Sequence, residues 1–66
     1  MSRYQDEARA LKIDAQLRAR MRQVRAGMSP AASLAKLEAA WQADLECQAL
    51  LAESKNAWAK LEREAA

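Results

Sequence analysis

Gly27-Met28-Ser29-Pro30 holds the only glycine and the only proline of the chain, in the order that ends one helix and begins another. Glycine accepts the left-handed backbone at a helix C-terminus with no Cβ penalty, and Ser followed by Pro reads as an N-cap and a first helical position. The stretch predicts an all-α chain: helix 1 over about 4–26, a turn at 27–30 and helix 2 over about 30–63. Together they form an antiparallel helical hairpin, a single domain over residues 1–66.

Working outward from the turn, residues 4–26 contain no breaker and only two β-branched side chains, Ile13 and Val24. Ala10, Ile13, Leu17, Met21 and Val24 recur at steps of three and four, which places them on one stripe. Arg9, Lys12, Gln16, Arg20 and Gln23 take the other side. Asp6 and Glu7 near the start, and Arg22 and Arg25 near the end, suit the helix dipole. Helix 2 is likewise free of breakers, with Ser54 and Asn56 its weakest positions. In an antiparallel hairpin, residue i then lies opposite a residue near 58 minus i. That register pairs Val24 with Leu34, Met21 with Leu37, Leu17 with Trp41 and Ile13 with Leu45, four apolar rungs of one seam with a crossing of roughly 20°.

A second stripe lies off that seam. Helix 1 contributes Tyr4, Ala8, Leu11 and Ala15; helix 2 contributes Ala40, Ala43, Cys47, Leu50, Leu51, Trp58 and Leu61. By the same register the two sets fall on one side of the hairpin, and contiguous apolar faces of this kind mark association. A 66-residue chain with one cysteine and no histidine has no intramolecular disulfide and no usual zinc ligand set, so association is its remaining means of completing a core. The expectation is a homodimer, with two hairpins forming a four-helix bundle. Tyr4, Leu11, Cys47, Leu50, Leu51, Trp58 and Leu61 line its interface or, alternatively, a docking face for a larger protein. Residue 1 falls opposite about residue 57 in this register, so Trp58 and Leu61 are expected to overhang helix 1, where a tryptophan suits an interface hot spot.

The net charge of +2 conceals an uneven distribution: residues 1–28 carry seven Lys or Arg and three acids, residues 29–66 four and six. No acid lies between Asp14 and Glu38. Within that gap Arg18, Arg22 and Arg25 follow i, i+4, i+7 and share a face, with Lys36 opposite Arg22. Clustered guanidiniums suit carboxylate or phosphate groups. They contact acidic residues of a protein (Glu62 and Glu64 of a second protomer among them), contact RNA phosphates, or simply form a solvated face.

Catalytic machinery is not apparent. There is no histidine and no Gly-rich phosphate loop, the acids fall on exposed positions, and a two-helix hairpin encloses no pocket. Cys47, within an Ala/Leu stripe, reads as inert packing; an intersubunit disulfide requires the two copies to meet at that rung. No cofactor or metal is expected. No apolar run reaches the ~18 residues of a membrane span, the first seven residues lack the apolar stretch of a secretory signal, and the unpaired Cys47 suits a cytoplasmic setting.

In architecture alone, a chain of this length with two helices and a short turn resembles the Rop family of plasmid copy-number regulators, homodimeric four-helix bundles that bind RNA loop pairs. It is similar also to the small hairpin co-chaperones of type III secretion needle subunits, in which a helical hairpin wraps a partner helix. No motif of either is matched residue by residue, and no functional residue is carried over. Phages and plasmids encode many tiny helical proteins that bind and block a larger host protein, which needs only an apolar face and a charged rim. The expected function is therefore a non-enzymatic regulator or adaptor, of the inhibitor or co-chaperone type, that docks a larger protein. The alternatives are a Rop-like dimeric RNA binder using Arg18, Arg22 and Arg25, and a purely structural bundle subunit.

Overall fold

Helix formers without a breaker carry the first helix, α1, over Arg3–Ala26 of the computed structural model, which describes residues 3–65. Its apolar stripe falls as its periodicity requires: Ala10 and Ile13 are buried, and Leu17, Met21 and Val24 half-buried. The hydrogen-bond ladder tightens at its end, where the Gly27 N–H reaches the carbonyls of Gln23 at 3.3 Å and Val24 at 3.2 Å and the Met28 N–H reaches Arg25 at 3.0 Å. Such i→i+3 bonds satisfy a helix end without a left-handed residue, and no described residue has a positive φ. The left-handed role expected of Gly27 is not used.

Ser29 and Pro30 do not start the second helix either. The Ala32 N–H bonds the Ser29 carbonyl at 3.0 Å and the Ala31 N–H bonds the Ser29 hydroxyl oxygen at 3.2 Å. Pro30 thus occupies the second position of a tight turn, where its fixed φ is equally at home. The N-cap falls to Ser33, in extended conformation, whose Oγ accepts the Lys36 N–H at 3.2 Å. From it α2 runs over Leu34–Ala43 and stops at Asp44.

Helix 2 is therefore two helices. Asp44 leaves the helical conformation with ψ 117°, its N–H still bonded to Ala40 at 3.1 Å and Trp41 at 3.2 Å. Its carboxylate accepts the Cys47 N–H at 2.9 Å while its carbonyl accepts the Gln48 N–H at 3.0 Å, opening α3 over Leu45–Ala65. An aspartate is a strong N-cap, and the break has a packing cause. In one continuous helix the Leu37/Trp41 stripe and the Cys47/Ser54/Leu61 stripe would point roughly 120° apart. With Asp44 extended between them, both are drawn toward α1.

The register differs accordingly. Asp6 meets Lys60, Asp14 meets Ser54 and Trp58, Arg20 meets Asp44, and Met21 meets Trp41. Partners thus lie several residues further along than 58 minus i, because α2 starts late and the chain spends Asp44 on the break. Leu37 is buried and Trp41 half-buried, but Leu34 (66% exposed) and Leu45 (81%) are not rungs of the seam. Trp58 and Leu61 do not overhang α1; they pack against it.

The described residues thus form three helices and no strand, α1 packing chiefly on α3 and less on α2, in a rod of 45 × 17 × 16 Å. Its core is thin: Ala10, Ile13, Leu37, Cys47 and Leu61 are the buried apolar residues. Among the described residues no helix is long and apolar enough to cross a membrane.

Candidate functional site

The indole of Trp41 is held by its own N–H, which Nε1 donates to the Met21 carbonyl at 3.1 Å. Trp41 and Met21 together form a ridge between two hollows. On one side lies an apolar groove of 410 Å³ walled by Leu17, Leu51 and Cys47, with Glu38 at its rim. On the other is a shallower hollow of 250 Å³ bounded by Arg18, Arg22 and Arg25. A larger hollow of 570 Å³ lies under the 27–33 connection, between Arg25, Pro30, Leu34 and Leu37. Among the described residues only one titratable side chain, Arg25, borders it, so it has little chemistry to offer.

The arginines expected to cluster do so. All three are exposed; Arg22 and Arg25 make no ion pair with a described residue, and Arg18 acts on Asp14 only through space. Lys36 is exposed on α2 and does not line the hollow. Of the apolar set, Tyr4 (80%) and Leu11 (52%) are exposed on α1, and Leu51 (45%) stands at the apolar groove. Leu50 is half-buried beside Arg20 and Glu46. Cys47 and Leu61 are buried inside the chain, and Trp58 donates its indole N–H to Asp14 at 2.9 Å. These three belong to the α1–α3 seam, the α3 stripe having been brought round to α1 by the break at Asp44.

Besides the Asp6–Lys60 pair at 3.5 Å, two polar rungs cross the seam. Asp14, half-buried, accepts the Ser54 hydroxyl and the Trp58 indole N–H, and these bonds hold its carboxyl below the ordinary carboxylate value, with Arg18 assisting. Nearer the break, Arg20 grips Asp44 with two nitrogens at 2.9 and 3.1 Å and reaches Glu46 at 2.9 Å. A fork on a carboxylate is the strong geometry for such a pair. It lowers the Asp44 carboxyl well below the carboxylate range, aided by the Cys47 N–H, and raises the Arg20 guanidinium. Burial, then the hydrogen bond to Asp44, pushes the Cys47 thiol up, which keeps it protonated and a poor nucleophile.

Spacing alone puts Arg20 on the polar side of α1 and marks no polar role for Asp14, Trp41, Asp44 or Ser54. A signal existed for Asp44: it is the one strong capping residue between two apolar stripes that are out of phase. Nothing in the local pattern marks Asp14, because its partners lie forty and forty-four residues away.

Chemically, the ridge presents an apolar slot and a row of cations side by side. Among the described residues no group of three His, Cys, Asp or Glu side chains is assembled to hold a metal ion. The chain matches no protein-family model, no curated protein and no solved structure.

Proposed function

We propose that this chain is a small non-enzymatic docking protein, a regulator or adaptor that seats a helix of a larger protein in its apolar groove. In this reading Leu17, Met21, Trp41 and Leu51 take the apolar side of that helix, and Arg18, Arg22 and Arg25 take acidic residues flanking it. The chain itself is an antiparallel hairpin, α1 forming one arm and α2 with α3 the other, and two copies pair into a bundle of four such arms. The observation that carries the reading is the shared Met21–Trp41 ridge, which puts apolar and cationic surfaces within reach of one amphipathic helix.

Selection from a display library of random 16-residue peptides tests it. Acidic amphipathic sequences should be enriched, and Leu51→Asp and Arg22→Glu should each weaken the selected peptides at least about tenfold, about 1.4 kcal/mol. Enrichment of basic sequences, or binding indifferent to both substitutions, refutes it. A second reading, RNA binding, is favoured by the exposed arginine row beside an indole on which a base could stack. It predicts an affinity for single-stranded RNA that falls steeply with salt, and Arg22→Glu but not Leu51→Asp would abolish it.

A further inference from the structure

We infer that a second copy of this chain covers the outer face of α1, the two α1 helices running antiparallel. Tyr4, Ala8, Leu11 and Ala15 form a stripe roughly 160° round α1 from the Ala10–Ile13–Leu17 seam, and all four are exposed. The stripe alternates large, small, large, small. A two-fold axis at the level of residues 9 and 10 sets Tyr4 against Ala15 of the partner subunit and Ala8 against Leu11 of the partner subunit. Every layer then holds one large and one small side chain, as a self-complementary interface requires, and the alanines let the axes approach to about 8 Å. A parallel pair in register would set tyrosine on tyrosine and leave gaps at the alanines.

Charge selects the same orientation. Arg18, Arg22 and Arg25 continue the stripe at the same three-and-four spacing, and all are exposed. Parallel pairing would lay the two arginine rows against each other, whereas antiparallel pairing carries them beyond the overlap to opposite ends. Because α3 occupies the other side of α1, α3, α1 and their two copies lie in a row with the α1 pair in the middle, rather than round one closed core. The arginine side of the ridge stays outside the overlap. The apolar overlap, about 17 Å from Tyr4 to Ala15, is shorter than a standard interface provides, so the dimer forms at high protein concentration.

The inference rests on the pairing proposed above, and the test separates the two. Sedimentation equilibrium up to about 1 mM protein should show a monomer–dimer equilibrium that Leu11→Arg abolishes while circular dichroism stays helical. Spin labels attached through Arg25→Cys, with Cys47→Ala, should then lie about 46 Å apart, the antiparallel separation at 1.5 Å per residue. A monomer at every concentration overturns the pairing itself. A dimer that survives Leu11→Arg overturns the face, and a separation below about 20 Å overturns the orientation.

Discussion

Replacing Gly27 by alanine should stabilise the protein, although a glycine after a helix is ordinarily the residue least safely replaced. The direction follows from three observations. Gly27 does not have a positive φ, its N–H continues the α1 ladder to Gln23 and Val24, and a Cβ built on it would lie 3.6 Å from the Val24 carbonyl oxygen, an ordinary contact. Alanine therefore fits the folded chain unchanged and narrows the unfolded one, a gain of about 0.4–1 kcal/mol. For a domain of this size that corresponds to a rise in Tm of roughly 2–8 °C. Had Gly27 adopted the left-handed conformation, a Cβ would cost about 1–2 kcal/mol and Tm would fall. Thermal unfolding followed at 222 nm, at matched protein concentration because self-association moves Tm, reads the sign directly. A Gly27→Ala protein that melts below the parent refutes the assignment of the α1 terminus.

Two further outcomes follow from the polar rungs. Asp14 and Asp44 both titrate below the ordinary 3.8 when folded, so their contribution is present above that pH and lost as pH falls toward the folded values. The Cys47 thiol, raised above 9.0, adds an alkaline loss as pH climbs past that value. Tm should therefore be level from about pH 5 to 8 and decline below pH 4, and an acid limb that is flat or rising contradicts the hydrogen bonds described. At the break, Asp44→Asn keeps an acceptor for the Cys47 N–H but surrenders the charged pair with Arg20, whereas Asp44→Ala loses both and favours one continuous helix. Melting temperatures should fall in the order parent, Asn, Ala; an alanine variant as stable as the asparagine one would deny Asp44 its double role.

Which parts of this arrangement were legible beforehand depends on the range of the interaction. The extent of α1 and its buried stripe are local properties, set by a run of helix formers and by spacing, and Ala10, Ile13 and Leu17 sit where their spacing puts them. The start of the second helix is ambiguous in the sequence because two serines compete for one N-cap. Ser29-Pro30 can open a helix or make a turn with equal local comfort, and only the choice of Ser33 moves the register. The break at Asp44 is visible as a phase change between Trp41 and Cys47, but periodicity along one continuous helix turns it into a second stripe that only a partner can cover. A continuous helix would turn Cys47, Trp58 and Leu61 outward, whereas the break buries Cys47 and Leu61 and brings half-buried Trp58 onto Asp14. The Arg18/Arg22/Arg25 row, set by spacing on one helix, was foreseeable; its neighbour Trp41 came to border the same hollow only through the tertiary register.

Asp44 also bears on how this chain can change in length. The connection over residues 27–33 spans two helix ends with a small turn and no buried side chain, so one residue more or fewer there alters closure by a fraction of a kcal/mol, roughly. One residue inserted just after Asp44 has a different effect. It separates the carboxylate from the Cys47 N–H and turns every α3 side chain about 100° relative to α2, moving Ser54 and Leu61 off α1. The protein is thus elastic at one junction and indexed at the other. Descendants of this chain can drift in length across 27–33 while keeping their fold, but at 43–45 they are bound to count residues.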